Sequence, residues 1–211
     1  MNPGTSIRGG AVNLRDCDPN VFWYATNHII RNLGGQVVRL GHSSMTPYPA
    51  LPGLVDLSRD AGPMLQTLAI SRSRFFLGGP SGPSAVADAF HVPAAVADAV
   101  DYHPHNEGMV MRTIDLVTPT GRVYRQKELF DAGYSKLRIL ELLQAGEGYQ
   151  IVKNSIPEVA RLTNYIYQMT ADTAGWRGPA KPDPRPRPNQ FSWPPGEPQP
   201  RGGFLPMDGA V

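Results

Sequence analysis

The sequence predicts an α/β protein in which helices cover both faces of a parallel β-sheet. Two observations lead to this prediction. Between residues 9 and 176, short β-like runs alternate with segments whose apolar residues recur at helical spacing. Near the middle of this region, the apolar residues 75–77 are followed by a glycine-rich turn and then by the start of a predicted helix. Such alternation is typical of parallel strands joined by crossover helices.

The first half of this region contains three predicted strands and two predicted helices. The first helix ends at Gly34-Gly35, a usual terminator, and a proline-rich loop follows the second strand. In chain order, the predicted elements are a strand at 11–14, a helix at 21–33, strands at 36–40 and 54–57, and a helix at 64–70.

The second half begins with the strand before the glycine turn and closes with an amphipathic helix. Ser135 is placed to cap one helix, and Pro157 lies in the first turn of another, where a missing amide donor costs nothing. The predicted elements are strands at 74–77, 93–97 and 149–152, and helices at 85–90, 135–144 and 156–169. The apolar residues of the last two helices are expected in the core: Ile139, Leu142, Leu143, Val159, Leu162 and Ile166.

Charge and cysteine content exclude several classes of protein. The net charge is +2 at pH 7 and the basic residues are scattered, which argues against a nucleic-acid or membrane-surface partner. Cys17 is the single cysteine, so an internal disulfide and a cysteine-based metal cluster are excluded. No apolar run is long enough for a membrane span, and the amino terminus has no signal-peptide core. We therefore expect a soluble, cytoplasmic protein.

Composition divides the chain into three parts. Residues 1–9 are expected to be a flexible amino terminus, and residues 10–178 to form one domain. In residues 179–211, proline alternates with charged and polar residues, which cannot bury enough apolar surface to fold. This tail is expected to be extended or disordered, and a polyproline ligand for a partner is the alternative to a solvated tail.

The glycine-rich turn in the middle of the chain is the strongest candidate for a binding site. Gly78, Gly79 and Gly82 can adopt positive φ, which would let an anion approach the main chain closely. Ser81 or Ser84 would cap the following helix, whose amino end favours negative charge. The alternative is an ordinary strand-to-helix connection that needs glycine only to turn.

The residues that follow the predicted strands are the next candidates, because ligands of an open parallel sheet bind beyond the carboxyl ends of its strands. By this rule Asn13, Arg15 and Asp16 meet the glycine turn, together with Arg39 from the next strand. Guanidinium groups pair with phosphate oxygens in a bidentate way, and the turn supplies neutral amide donors. No acidic cluster or histidine pair with metal-ligand spacing accompanies them. The sequence therefore predicts a metal-independent site for a diphosphate.

The order of these segments resembles a family of known architecture. The segments that carry the likeness are residues 13–16, 34–41, 55–56, 74–82 and 148–159, and the likeness covers about residues 10 to 170. Together they are similar to the carboxyl-terminal half of a bacterial glycosyltransferase family with a GT-B-like fold. In such two-domain, Rossmann-like enzymes, the carboxyl-terminal domain holds the nucleotide of a sugar donor. The resemblance implies that residues 10–178 form a Rossmann-like nucleotide-sugar-binding domain, a single half of the GT-B type.

The resemblance also implies roles for individual residues. Arg15 would contact the donor diphosphate, with Asp16 beside it, and these two are the expected catalytic residues. The family has histidine where this chain has Asn13, and a carboxamide can hydrogen-bond but cannot transfer a proton. The expected substrate-binding residues are Asn13, Arg39, Gly78, Gly79, Ser81, Gly82 and Ser84. Neither a metal nor a cofactor is expected beyond the nucleoside-diphosphate sugar that serves as donor.

The function that follows is a metal-independent glycosyltransferase, or the donor-binding half of a split one. The expected partners are a nucleotide sugar and either a second chain that supplies the acceptor domain or further copies of this chain. A general base is not evident, since His42, His103 and His105 are interpreted as solvated loop residues. One alternative is a non-catalytic Rossmann-like scaffold that binds another chain. Another is an unrelated Rossmann-like enzyme that uses the glycine turn for a different phosphate ligand.

Overall fold

The computed structural model describes residues 14–59, 61–100, 109–125 and 127–171. These residues form a mixed α/β structure. Its helices are α1 (Pro19–Arg31), α2 (Pro63–Ser71), α3 (Gly82–Ala89), α4 (Lys127–Asp131), α5 (Lys136–Gln144) and α6 (Ile156–Met169). Its strands are β1 (Val37–Arg39), β2 (Leu54–Asp56), β3 (Phe76–Gly78), β4 (Ala94–Ala99), β5 (Met109–Thr113), β6 (Asp115–Val117), β7 (Val123–Tyr124) and β8 (Gln150–Val152).

The strands form parallel and antiparallel sheets. Strands β1 and β2 pair in parallel, and β3, β4 and β5 form a parallel sheet in that order. Strands β7, β6 and β8 form an antiparallel sheet. The prediction of parallel sheets is confirmed, but the prediction of a single parallel sheet is wrong for β8. That strand pairs with β6, and β6 follows β5 almost directly along the chain.

Helices pack on both faces of the β3–β4–β5 sheet, as predicted. On one face, Ala95 and Ala97 of β4 pack with residues of α1 and α6, including Val21 and Leu162. On the other face, Ala94 packs with Ile70 of α2 and Ala87 of α3. The alternation of β4 residues between these two clusters is the period-two pattern of a strand buried on both sides.

Local signals explain where the helices begin. Helix α1 begins at Pro19 rather than at residue 21, because Asp18 Oδ1 accepts a hydrogen bond of 2.9 Å from the amide of Asn20 and acts as the N-cap. Helix α5 has Ser135 as its N-cap, and α6 has Pro157 in its first turn, both as predicted. The core residues predicted in these two helices are all confirmed as buried.

Other predictions fall on or near residues that the structure does not describe. In the predicted first strand, residues 11–13 lie outside the described residues and Leu14 lies in a turn. The predicted amino-terminal segment 1–9 and the tail 179–211 also lie outside them. Strands β5, β6 and β7 and helix α4 were not predicted. Strands β6 and β7 and helix α4 contribute to a second core, which contains Leu14, Val100, Ile114, Leu116, Leu129, Ile139, Leu143 and Ile151, with Tyr124 packed against it.

Within the described part of the chain, no helix has the length and apolar character needed to cross a bilayer.

Candidate functional site

The candidate site lies at the carboxyl ends of β3 and β4. Gly78, the last residue of β3, pairs with Val96 of β4, so Gly79 and Asp98 leave the sheet at the same edge. This edge of a parallel sheet is where ligands of α/β proteins bind. Helix α3 follows β3 after a short turn and presents its amino end there.

The loop with Arg15 and Cys17 packs directly against the glycine turn. A Cβ atom built on Gly79 would overlap Cys17 Sγ and would lie 3.9 Å from the carbonyl oxygen of Arg15. The thiol of Cys17 in turn donates to that carbonyl at 3.6 Å. The structure therefore brings the Arg15 loop and the glycine turn together. Arg15 and Asp16 are exposed at this edge.

Positive φ does not explain the glycines of this turn. None of Gly78, Gly79 and Gly82 has a positive φ. Instead, Gly79 is required by close approach, because any side chain there would collide with Cys17. A Cβ on Gly78 would lie 2.6 Å from the ring of Phe76, whereas one on Gly82 would meet nothing within 4 Å.

One of the amides expected to cradle an anion, that of Ser81, is used by the helix cap, together with the amide of Ser84. The amide of Ser81 donates to Ser84 Oγ at 3.2 Å, and the amide of Ser84 donates to the carbonyl of Ser81 at 3.1 Å. The next residue, Pro83, has no amide hydrogen. Gly82, at the first position of α3, donates to no acceptor among the described residues. Its N–H is the donor that the turn can offer to a ligand.

Arg39 lies away from the glycine turn, in contacts with the loop between β1 and β2. Its guanidinium donates to Asp56 Oδ2 at 2.8 Å and to the carbonyl of Thr46 at 2.6 Å, and stacks over the ring of Tyr48 at 3.9 Å. Burial alone would raise the pKa of Asp56, but hydrogen bonds from Ser58 and from Arg39 outweigh it and lower that pKa. Arg39 is itself buried, and its contacts with described residues hold the loop between β1 and β2. The structure does not bring Arg39 to the glycine turn.

Asp98, which was not predicted, is the most constrained residue of this edge. The register of β4 against β5 shifts between Val96 and Ala99, and Asp98 within this irregularity has φ +56°. Its side chain is 4% exposed. Bulges and positive φ at a non-glycine residue are found preferentially at functional sites, since surrounding contacts must hold the strained backbone.

Asn154 supplies those contacts. Its side-chain oxygen accepts from the amide of Asp98 at 2.8 Å, and its own amide donates to Asp98 Oδ1 at 2.7 Å. Its Nδ2 donates to the carbonyl of Thr113 at 2.8 Å. One buried asparagine therefore ties the end of β4 to β5 and to the start of α6.

Cys17, Asp98 and Lys153 form a polar cluster behind the glycine turn, in which Asp98 and Lys153 are buried and Cys17 is half-buried. Burial raises the pKa of the Cys17 thiol to about 12, and the negative charge of Asp98 adds to this effect. Burial also raises the pKa of the Asp98 carboxyl, opposed by the amide of Asn154 and the positive charge of Lys153. The positive charge of Lys153 acts in the opposite direction and lowers the pKa of both groups.

Some of the remaining predicted residues lie in the described part of the chain, and others lie outside it. Gly78, Gly79, Ser81, Gly82 and Ser84 form the strand end, turn and helix start as predicted, while Asn13 lies outside the described residues. His42 is exposed, and His103 and His105 lie outside the described residues. Among the residues described, no group of three or more His, Cys, Asp or Glu side chains is arranged to hold a metal ion.

Asp98 and Lys153 were missed, although each carries a signal in the sequence. Asp98 is the only charged residue in the apolar run 92–100, and Lys153 directly follows the apolar pair Ile151-Val152. A charged residue inside or just after a buried strand is rarely free of function, because burial of an ion is costly.

Comparisons of the chain with protein-family models, with curated proteins and with solved structures found no match.

Proposed function

We propose that this chain binds the diphosphate of a nucleotide sugar and acts as the donor-binding half of a GT-B-type glycosyltransferase. The observation that carries the proposal is the packing of the Arg15 loop against Gly79 at the carboxyl edge of β3 and β4. It places a guanidinium-bearing loop beside a helix amino end, and both favour phosphate. The single cysteine fits a reducing compartment, and we place the protein in the cytoplasm.

In the reaction proposed, the bond between the anomeric carbon of the sugar and its phosphate oxygen breaks. The electron pair stays on the nucleoside diphosphate, which leaves with an additional negative charge. The oxygen of the acceptor hydroxyl forms the new bond to that carbon, and its proton passes to a base on the acceptor side of the cleft. Arg15 and the Gly82 amide would stabilise the leaving diphosphate, since fixed donors aimed at developing charge lower the barrier.

The direct test is calorimetric titration of uridine, guanosine and thymidine diphosphates into the purified chain. We expect binding of at least one nucleotide at micromolar to millimolar concentration. Arg15→Ala should weaken it about tenfold or more, which corresponds to about 1.4 kcal/mol. The matched control is Arg138→Ala, because Arg138 is an exposed arginine of α5 that pairs with Glu141. The proposal would be contradicted if no nucleotide bound at millimolar concentration, or if both variants lost the same amount of affinity.

Sugar transfer also needs a second domain, which binds the acceptor and supplies the base that takes its proton. We propose that another chain supplies it, as the family's two-domain architecture implies. The test is sugar transfer or nucleotide-sugar hydrolysis by this chain alone and after addition of proteins that copurify with it. Activity that requires both chains, and that Arg15→Ala abolishes, supports a split enzyme. A complex that forms without nucleotide and shows no activity favours a scaffold instead.

The second candidate, a non-catalytic protein that associates with another chain, is favoured by one observation. Helix α2 exposes three apolar side chains that share one side of its turns, Met64, Leu65 and Leu68, at 83%, 48% and 50% exposure. Clustered apolar residues at a surface indicate protein contacts. A second copy of this chain is the occupant that can be tested directly.

Sedimentation velocity measures this association. If α2 mediates it, the wild type is a dimer or larger at micromolar concentration, and Leu68→Glu shifts it to the monomer. Leu137→Glu is the control, because Leu137 is an equally apolar residue of α5 and is 68% exposed. A wild type that stays monomeric, or equal effects of both substitutions, removes the support for this candidate.

A further inference from the structure

The strongest feature that the proposed function does not use is the side chain of Lys153. It follows β8 and precedes Asn154, whose amide bonds to Asp98. The lysine is 9% exposed, and its Nζ has no hydrogen-bond partner among the described residues. An ammonium group out of water without acceptors is costly, unless an anion or ordered water supplies them.

Lys153 belongs to the same edge as the glycine turn. Its charge acts on both Cys17 and Asp98, and Cys17 Sγ is the atom that a side chain on Gly79 would meet. No described acceptor, the Asp98 carboxyl included, takes a hydrogen bond from the ammonium, and Asp98 Oδ1 instead accepts from the amide of Asn154. The ammonium donors of Lys153 are therefore without acceptors among the described residues.

We infer that Lys153 Nζ binds a phosphate oxygen of the ligand from the buried side of the site. The inference rests on the proposed function for its choice of phosphate, and it adds the residue that neutralises the more buried phosphate. Arg15 is exposed at this edge while Lys153 is buried, so the two cations would contact a diphosphate from opposite sides. Gly82 supplies a neutral donor at the amino end of α3.

The geometry also explains why Asp98 lies here. Its carboxylate lies near the lysine charge in the free protein, and its Oδ1 accepts the hydrogen bond of the Asn154 amide. A ligand phosphate can then bind the ammonium, because no described acceptor occupies its donors.

The test uses inorganic pyrophosphate, which carries the diphosphate without a nucleoside. Calorimetric titration of the full chain should show binding, and Lys153→Met should weaken it about tenfold or more. Lys153→Arg should recover part of the affinity, because it keeps the charge. Lys127→Met is the matched control, since Lys127 is an exposed lysine that pairs with Asp131. Lys153→Met removes the positive charge near the buried Asp98 carboxyl, so thermal unfolding checks that this variant is folded before its binding is compared.

The outcomes separate this inference from the proposed function. Pyrophosphate binding that depends on Lys153, with nucleoside diphosphates no tighter than pyrophosphate, supports the lysine site and contradicts the nucleotide-sugar function. If Arg15→Ala weakens nucleoside-diphosphate binding and Lys153→Met leaves it unchanged, the result supports the nucleotide-sugar function and contradicts the lysine site. An absence of pyrophosphate binding by the wild type, or equal binding by Lys153→Met in a folded protein, overturns the inference.

Discussion

Asp98 and Asn154 exchange two hydrogen bonds, in which the backbone amide of each residue donates to a side-chain oxygen of the other, at 2.8 and 2.7 Å. The two residues are separated by 56 positions in the chain. Their exchange fixes the end of β4, where Asp98 has a positive φ, against the segment that starts α6. The shape of the candidate site depends on this contact, because Lys153 precedes Asn154 in the chain and Asp98 lies at the edge of the sheet that carries the glycine turn.

We predict that Asn154→Ala destabilises the protein by about 1 to 3 kcal/mol, because it removes the side-chain oxygen that accepts from the buried Asp98 amide and the side-chain amide that donates to the Thr113 carbonyl. Urea unfolding measures the change. Gln168→Ala, at an exposed position of α6, should change the free energy of unfolding by less than about 0.5 kcal/mol. A loss below about 1 kcal/mol in Asn154→Ala would show that water replaces the asparagine side chain.

Gly79→Ala should destabilise the protein by about 1 to 3 kcal/mol, because the new methyl group collides with Cys17 Sγ. The double variant with Cys17→Ala should regain most of this loss, since the colliding atom is gone. Gly82→Ala is the control, because its Cβ meets nothing within 4 Å and its φ is not positive. Equal losses in Gly79→Ala with and without Cys17→Ala would mean that the contact is not the cause.

The thiol of Cys17 should react slowly in the folded protein. Burial, aided by the charge of Asp98, raises its pKa from 9.0 to about 12, and the thiolate is the reactive form. Alkylation by iodoacetamide at pH 8 should therefore be about a thousandfold slower than that of an ordinary thiol. Because Cys17 is the single cysteine, mass spectrometry reads its reaction directly.

Two comparisons test the cause of this low reactivity. Asp98→Asn should accelerate alkylation, since it removes the negative charge that disfavours the thiolate. Asp131→Asn, at an exposed aspartate of α4, should not. Alkylation of the native wild type as fast as that of the chain in denaturant would contradict the burial of the thiol.

Glu158 should contribute stability that disappears in acid. Burial acts to raise its pKa, but hydrogen bonds from Ser155 and the charge of Arg112 outweigh it, so the pKa lies below the ordinary 4.5. Because the folded state binds the proton more weakly, this stability is present above pH 4.5 and is lost as the pH falls through the lower folded value.

Glu158→Gln measures this contribution. We expect it to lower the free energy of unfolding by about 1 to 3 kcal/mol at pH 7, and the difference from wild type to shrink as the pH falls below 4.5. Glu141→Gln, at an exposed position of α5, should show neither effect. A difference that is independent of pH would assign the loss to packing rather than to charge.

Apart from α4, the described helices could be predicted, as could strands β3 and β4, because their signals are local. Asp18 and Ser135 cap helices through contacts within three residues, and apolar residues at helical spacing mark α6. Strands β5, β6 and β7 could not be predicted in this way. The antiparallel pairing of β6 with β8 joins Leu116 to Ile151, and no local pattern specifies such a distant partner.

In the candidate site, too, some features could be predicted from local sequence signals and others depend on contacts between distant residues. From the sequence alone, the glycine turn, the helix after it and the nearby Arg15 could be recognised, because strand ends and glycine clusters are readable along the chain. Tertiary structure decided that Gly79 is needed for contact with Cys17, that Arg39 serves the β1–β2 loop, and that Asp98 and Lys153 lie behind the turn. The physical reason is that periodicity and capping act between neighbours in the chain. Burial, charge proximity and close approach act between neighbours in space, and these determine the chemistry of the site.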